Sequence, residues 1–346
     1  MSRRRAEDPG PAAAPGWQLS GLIEDAGTWE DLLDVLSERI GQPSLLPRIV
    51  EKDLYVTEAI RHAIAPSETY PGVRTVFKGG TSLAKAYPIL NRFSEDVDVN
   101  IIPPPGQEFG HSRRKKARKE LHARLDEGIP LEIEHKLEGA NFAVSTISYV
   151  PASPESGAIF GMTFGSVLVE MNIREQPPGM CVMRSVTSLA GEAASELDPL
   201  LLEEYPHLKP FEVLTADPAV AVVDKLDALN WRSESDNPAQ IATRARDIYD
   251  LACLLRHSAV RPKLNSALVS EMHETVVDSI PPGLAGTATP RPEGGFASAK
   301  AFQPGHTSHE ALKAEYPKIR NLVYSDEDWV EFDDAIEIIQ GSSHLI

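Results

Sequence analysis

Apolar positions along the chain follow different periods before and after residue 210. Apolar residues three and four positions apart predict helices at 17–40, 46–64 and 112–126. Runs that alternate, or that are rich in β-branched residues, predict strands at 73–78, 96–102, 141–150, 163–174 and 181–189. Beyond residue 210 the helical period predicts helices at 216–229, 246–257, 264–279, 310–316 and 326–340.

This order of elements predicts an α+β fold. A mixed-sheet α/β domain is expected at 17–209, and a C-terminal helical domain at 210–346. Residues 1–16 are rich in Pro, Ala and Gly, which predicts a disordered tail. Residues 281–307 are rich in Pro, Gly, Ala and Thr, which predicts a mobile loop. A cleft between two such domains is a frequent place for a ligand.

The charge of the chain limits its partners. The 346 residues carry a formal net charge of −17, which argues against a general affinity for nucleic acid. A nucleic-acid substrate would have to be held by a local basic patch, and the dense cationic run is at 113–119. Such a run is usually the solvated face of a helix, and contact with an RNA backbone is the alternative.

The sequence does not predict a membrane protein. No apolar run reaches the length of a membrane span, and residues 1–9 lack the apolar stretch of a signal peptide. Cys181 and Cys253 have no partners at metal-binding spacing and are expected to be buried thiols in a reducing compartment. The expected location is therefore the cytoplasm.

The most informative segment lies between residues 75 and 98. An apolar strand stops at Gly79 and Gly80, where a glycine turn lets the backbone approach a bulky anion and expose N–H donors. Ser82 adds a hydroxyl at the start of the following helix. Asp96 and Asp98 open the next strand, and residues two apart on a strand point to the same face. Converging carboxylates with room for phosphate oxygens are suitable ligands for Mg²⁺.

Each part has a simpler interpretation when it is taken alone. A Gly-Gly turn is usually only a turn, and an Asp-x-Asp pair is usually a solvated strand end or a helix cap. In this order and on adjacent strands, however, the two parts form half of an active site for phosphoryl or nucleotidyl transfer.

Two motifs carry a family resemblance. Lys78-Gly-Gly-Thr-Ser-Leu83 together with Arg92-Phe-Ser-Glu-Asp-Val-Asp98 resembles the polymerase-β-type nucleotidyltransferase superfamily and, more narrowly, the AbiEii family. AbiEii proteins are the toxins of type IV toxin–antitoxin systems and include MenT-like tRNA nucleotidyltransferases. The resemblance implies an NTP substrate, Mg²⁺ or Mn²⁺ as cofactor and a cognate antitoxin as partner. It further implies transfer of a nucleoside monophosphate to a tRNA 3′ end, which blocks translation.

Glu170 is a candidate third carboxylate. It lies in the middle of the apolar segment Val167-Leu-Val-Glu-Met-Asn-Ile173, where an unpaired charge is costly. In a structural role, it pairs with a neighbouring cation or faces solvent. In a catalytic role, it takes the proton from the attacking hydroxyl or completes the ligand shell of a metal ion. The resemblance favours the catalytic role, because the family often has an acidic residue on such a strand.

A helix around Lys225 provides the basic residues that the resemblance implies. Lys225 and Arg232 lie on one side of the predicted helix, and the family pattern here is Glu-Lys-Leu followed by an alanine and a basic residue. The chain has Asp224 in place of the Glu, which keeps the charge. Lys225 is expected to contact the triphosphate as a point charge, with a surface salt bridge to Asp224 or Asp227 as the alternative.

Further acidic residues match the family in Thr243-Arg-Ala-Arg-Asp-Ile-Tyr-Asp-Leu-Ala252. Asp247 corresponds to the catalytic acidic residue of the family, although an Asp near a helix start is often only a cap. Asp250 is expected to orient Arg244 or Arg246.

The pair Lys52 and Asp53 also matches a family pattern, Glu-Lys-Asp before an aromatic residue. It forms either a salt-bridged helix face or a brace for the glycine turn.

The sequence thus predicts a nucleotidyltransferase with two groups of site residues. Residues expected to act in catalysis, with the metal on the first two, are Asp96, Asp98, Glu170, Lys225 and Asp247. Residues expected to bind the nucleotide are Lys78, Gly79, Gly80, Thr81, Ser82, Lys225 and Arg232. Two alternatives stay open: the acceptor is a small molecule or a protein, or the chain is an inactive binding protein on the same fold.

Overall fold

The structure is a computed structural model and describes residues 19–41, 46–66, 74–103, 110–137, 141–152, 162–173, 179–234, 237–278 and 289–346. The predicted disordered tail at 1–16 and the first part of the predicted mobile loop, 281–288, lie outside these ranges.

A mixed sheet lies at the centre of the fold and confirms the predicted α+β class. Its strands are β1 (Arg74–Lys78), β2 (Val97–Ile102), β3 (Glu132–Leu137), β4 (Phe142–Ser148), β5 (Ser166–Ile173), β6 (Cys181–Val186) and β7 (Phe211–Ala216). The spatial order is β3-β4-β5-β2-β1-β7-β6. The pairs β2–β5 and β1–β7 are parallel, and the other neighbours are antiparallel.

Helices pack around the sheet and are the main elements after β7. They are α1 (Leu19–Glu24), α2 (Ala26–Ser37), α3 (Leu46–Ile64), α4 (Gly79–Lys85), α5 (His111–Gly128), α6 (Leu189–Leu197), α7 (Leu201–Glu204), α8 (Pro218–Ser233), α9 (Pro238–Ala242), α10 (Ala245–Arg256), α11 (Ser266–Asp278), α12 (Thr307–Glu315) and α13 (Phe332–Gly341).

The two faces of the sheet have different surroundings because strand residues alternate between them. One face carries Val97, Val99 and Ile101 of β2, which are fully buried against α3 and α5. The opposite face carries Asp98 and its neighbours. Helix α8 covers the β1–β7 part of this second face and leaves the carboxylates at a cavity beside it.

A second core lies around α8, α10 and the C-terminal helices and continues onto the sheet through Val76 of β1 and Ile102 of β2. Fully buried aromatic side chains from different parts of the sequence meet there: Tyr249, Phe296, Phe302 and Tyr316. Phe296 and Phe302 belong to 3₁₀ turns at Phe296–Ser298 and Lys300–Phe302. The described end of the predicted mobile loop therefore contributes to this core.

Three expectations about the elements need correction. The helix expected at 17–40 is two helices, because Asp25 accepts a hydrogen bond from the Thr28 backbone N–H and starts α2. The segment Phe211–Ala216, assigned to the helical domain, is strand β7 between β1 and β6. Strand β3 was not predicted, because its sequence is mostly charged and it lies at the sheet edge.

None of the helices in the described ranges combines the length and apolarity needed to cross a membrane. Cys181 and Cys253 are half-buried free thiols.

Candidate active site

Neighbouring strands bring three carboxylates together. In the parallel pair β2–β5, Asp98 lies opposite Glu170, and in the antiparallel pair β1–β2, Lys78 lies opposite Asp98. Paired residues on adjacent strands point to the same face. Asp96 immediately precedes β2, two residues from Asp98. All four side chains line one cavity of about 930 Å³.

The carboxylates repel one another in partly buried surroundings. Burial and the neighbouring charges of Asp98 and Asp96 raise the pKa of Glu170 to about 7. Burial also raises the pKa of Asp98, and nearby Lys78 opposes that rise. The pKa of Asp96 is raised by burial and by Glu95. A cation at this position would relieve the repulsion between the carboxylates.

The donor set fits a hard divalent ion that shares its ligands with a substrate. In the ranges that the structure describes, no group of three or more His, Cys, Asp or Glu side chains forms a metal-binding cluster. Mg²⁺ rarely uses such a cluster, because it is usually held by one or two carboxylates, waters and substrate phosphate oxygens. Asp96 and Asp98 are the carboxylates that fit this role.

The glycine turn packs directly against the acidic residues. Gly79 has a φ of +77°, and a Cβ atom there would lie 1.9 Å from Asp98 Oδ2. A Cβ atom on Gly80 would lie 2.7 Å from Arg92 Nη2. Any side chain at Gly79 would therefore displace the Asp98 carboxylate or the turn.

The hydroxyls after the turn have different surroundings. Ser82 lines the cavity, and its Oγ donates to the Gly79 carbonyl oxygen at 2.9 Å. Thr81 is buried behind the turn, within hydrogen-bond distance of Ser94 Oγ and the Asp96 carbonyl oxygen, and it does not line the cavity. Thr81 thus joins the turn to the segment that carries Asp96, whereas Ser82 faces the space where a ligand would bind.

Lys225 lies at the centre of a buried ionic network. Its Nζ is 2.6 Å from Asp247 Oδ1 and 2.7 Å from Asp250 Oδ2. Arg92 makes two hydrogen bonds of 2.7 Å to the same Asp250 carboxylate. Burial disfavours the charged amine, but Asp247 and Asp250 outweigh it and raise the pKa of Lys225.

This network corrects the partner expected for Asp250. Asp250 is fully buried and orients Arg92 and Lys225, not Arg244 or Arg246. Its pKa is lowered because Arg92 and Lys225 outweigh the effect of burial. Lys225 pairs with Asp247 and Asp250 instead of forming the alternative surface pair with Asp224 or Asp227, which contact Lys78 and His273.

Three arginines line the helical side of the cavity. Arg232 is among them, as predicted, and its pKa is lowered to about 10 by burial and by the positive charge of Arg244. Arg244 lies 3.6 Å from Asp247 Oδ2. Arg246 has no ion-pair partner among the described residues, and its charge opposes the rise in the pKa of Asp96. The sequence signal for Arg244 and Arg246 was their position just before Asp247.

The pair Lys52 and Asp53 braces the site from behind. Both side chains are buried, and both form ion pairs with residues of other segments. Lys52 pairs with Glu95, next to Asp96, and also donates to the Thr163 carbonyl oxygen. Asp53 pairs with Lys85 of α4 at 2.6 Å. The two residues therefore anchor the end of α4, the helix that begins at the two glycines, and the segment that leads into Asp96.

Comparison with known protein families gives a match that spans the sheet and the cavity. The model of the family described as "Nucleotidyl transferase AbiEii toxin, Type IV TA system" matches residues 69–335, which is well over half of the chain and includes every cavity residue described above. A search of curated proteins finds no match.

Proposed function

Since the chain belongs to the AbiEii family of nucleotidyltransferase toxins, we propose that it transfers a nucleoside monophosphate from an NTP to a tRNA 3′ end, with Mg²⁺, and thereby blocks translation. The family implies an NTP substrate and an antitoxin partner. The observation that supports the proposal best is the register that aligns Lys78, Asp98 and Glu170 at the cavity. A cytoplasmic location is part of the proposal, because tRNA is found there.

The triphosphate is proposed to bind between the glycine turn and the arginines. Lys78, Gly79, Gly80 and Ser82 line one side of the cavity. On the other side, two of the three N–H donors of Lys225 contact Asp247 and Asp250, which leaves one donor for a phosphate oxygen. Positive charge from three arginines faces the same space, as an anion with several charged oxygens requires.

The carboxylates divide into two roles. Asp96 and Asp98 would hold Mg²⁺, which when bound supplies charge neutralisation at the phosphates. Glu170 accepts the proton of the attacking hydroxyl, because it lies opposite Asp98 in the β2–β5 register and lines the same cavity. The hydroxyl oxygen bonds to the α-phosphorus, the bond from that phosphorus to the bridging oxygen breaks, and pyrophosphate leaves. Asp247 acts by holding Lys225 in position.

Helix α5 supports an RNA acceptor. Four of its cations are exposed: Arg113, Lys115, Lys116 and Lys119. Arg114 of the same run donates to Asn141 Oδ1 at 2.7 Å, and the next residue, Phe142, lines the cavity. The basic end of α5 thus lies beside the cavity rim, where it can contact RNA phosphates without entering the catalytic space.

The acceptor class is tested with α-labelled NTPs. The purified protein is incubated with each NTP, Mg²⁺ and a cell extract, and the label is then followed in the RNA, protein and small-molecule fractions. The proposal predicts label in RNA of tRNA length. Label that enters only protein, or only a new small-molecule product distinct from the NTP, would contradict the RNA acceptor and would support the alternative acceptors.

A further inference from the structure

Helix α8 forms one wall of the cavity, and its two flanks differ in chemistry. Lys225 and Arg232 lie on the flank toward α10, close to Asp247 and Arg244. Asp227 lies on the flank toward α11, and Trp231, four residues later, follows it on the same side of the helix. One flank is cationic, whereas the other combines a carboxylate with the Trp231 ring, over which the Arg232 guanidinium lies 4.8 Å from the ring centroid.

A hydrogen bond between two side chains fixes the second flank. Nδ1 of His273, on α11, lies 2.6 Å from Asp227 Oδ1. The His273 ring meets Phe296 edge to face, with centroids 5.5 Å apart, and only 8% of the residue is exposed. Both members of the pair line the cavity, although the proposed transfer reaction uses neither of them. Their position in the cavity wall allows them to contact a bound ligand.

The surroundings of the pair suit a nucleobase and not a phosphate. The Asp227 carboxylate would repel a triphosphate, which has the cationic flank and the glycine turn available instead. Val277 and Thr289 line the cavity beside His273, and Trp231 is 48% exposed at the same wall. Mostly apolar surface with a few fixed polar groups is typical of a small-molecule site.

We infer that Asp227 and His273 form the nucleobase pocket of the NTP site and select a base that presents an amino group. The inference rests on the proposed function, since it requires that the cavity binds an NTP. The Asp227 carboxylate only accepts hydrogen bonds, so the inferred tautomer of His273 carries its proton on Nδ1. Nε2 is then an acceptor. An amino group on the base can donate a hydrogen bond to Nε2. A carbonyl oxygen at the same position would face Nε2 as a second acceptor, and the two would repel each other.

Matched nucleotide pairs test this inference. CTP and UTP differ in an amino group against a carbonyl, and so do ATP and ITP. Calorimetry on the full chain with Mg²⁺ should show the amino member of each pair binding about three- to tenfold more tightly, as expected for one net hydrogen bond. Inorganic tripolyphosphate measures the cationic flank alone.

Two variants separate recognition from folding. His273→Phe keeps a ring beside Phe296 but removes the acceptor, so it should abolish the preference in both pairs and leave tripolyphosphate affinity unchanged. Asp227→Asn should relax the preference, because an amide can either accept from or donate to Nδ1. The control is His309→Phe, which changes a buried histidine outside the cavity that contacts the Ala301 carbonyl oxygen and Phe332.

The outcomes distinguish the inference from the proposed function. A wild-type protein that binds tripolyphosphate but no NTP contradicts both. A wild-type protein that binds NTPs without preferring the amino members, or a folded His273→Phe variant that keeps the preference, overturns the inference and leaves the proposed function intact. If circular dichroism shows that His273→Phe is unfolded, an unchanged preference in Asp227→Asn overturns the inference.

Discussion

Replacing Glu170 by Gln should make the metal-free protein more stable at the cost of activity. Burial and the charges of Asp98 and Asp96 raise the pKa of Glu170 from its ordinary value of 4.5 to about 7. A carboxyl group whose pKa is raised by folding favours the folded state at pH values below its unfolded pKa, where it is neutral. This contribution is lost as the pH rises through the folded pKa and the buried group ionises. The shift corresponds to about 3 kcal/mol. Glu170→Gln avoids this loss of folding free energy at high pH, because the amide side chain does not ionise.

Urea unfolding of both proteins at pH 4.5 and at pH 8, with chelator present, measures the effect. The variant should be more stable than the wild type by up to about 3 kcal/mol at pH 8, and the difference should shrink toward zero at the lower pH. Mg²⁺ should stabilise the wild type more than the variant at pH 8. Glu134→Gln, on the exposed edge strand β3, is the matched control and should show no such change. A difference that does not depend on pH would refute the electrostatic reasoning.

Four other changes test the site in a purified transfer assay. Asp96→Ala or Asp98→Ala should lower the transfer rate at least a thousandfold, about 4 kcal/mol of barrier, while the protein stays folded. Lys225→Ala should lower kcat/KM for the NTP by an amount equivalent to about 1.5–3 kcal/mol. Lys225→Arg should not restore it, because a planar fork replaces a point charge. Gly79→Ala should lower both Tm and activity, since an alanine Cβ would meet Asp98 at 1.9 Å. Neutralising the exposed cations of α5 should make RNA affinity less dependent on salt concentration and should leave NTP affinity unchanged. The charge-matched control neutralises four exposed cations elsewhere: Lys300, Lys313, Lys318 and Arg320.

Each of these expectations has a contrary result. Near-normal turnover in either aspartate variant would contradict the metal assignment, and unchanged NTP kinetics in Lys225→Ala would mean that the amine has only a structural role. A Gly79→Ala protein with normal Tm would show that the turn can move away from Asp98. Equal salt slopes for the α5 variant and its control would mean that RNA docks elsewhere.

The local parts of the site could be predicted from the sequence because their spacing carries the geometry. Asp98 of β2 and Asp96 directly before it line the same cavity, as their i and i+2 spacing predicts, and two glycines after an apolar strand favour a change of direction. Glu170 could be identified because a carboxylate in an apolar strand is costly to bury unless it is paired or has a function.

Contacts across long stretches of chain could not be predicted in this way. Arg92 and Asp250 are 158 residues apart, and Asp227 and His273 are 46 apart on helices with no shared pattern. The partner chosen for Asp250 was wrong because nearby arginines on its own helix were the only cations that spacing could indicate. Strand β3 was missed for a related reason, since an edge strand with exposed charges lacks the apolar signal of a buried one.

The most direct test of the account compares NTPs labelled at the α- and γ-phosphates, with purified tRNA as acceptor and Mg²⁺ present. Nucleotidyl transfer predicts that the α-label becomes covalently attached to the tRNA 3′ end, that the γ-label is released as pyrophosphate, and that the Asp98→Ala protein does neither. Attachment of the γ-label to RNA, or release of both labels without any labelled RNA, would contradict nucleotidyl transfer to tRNA.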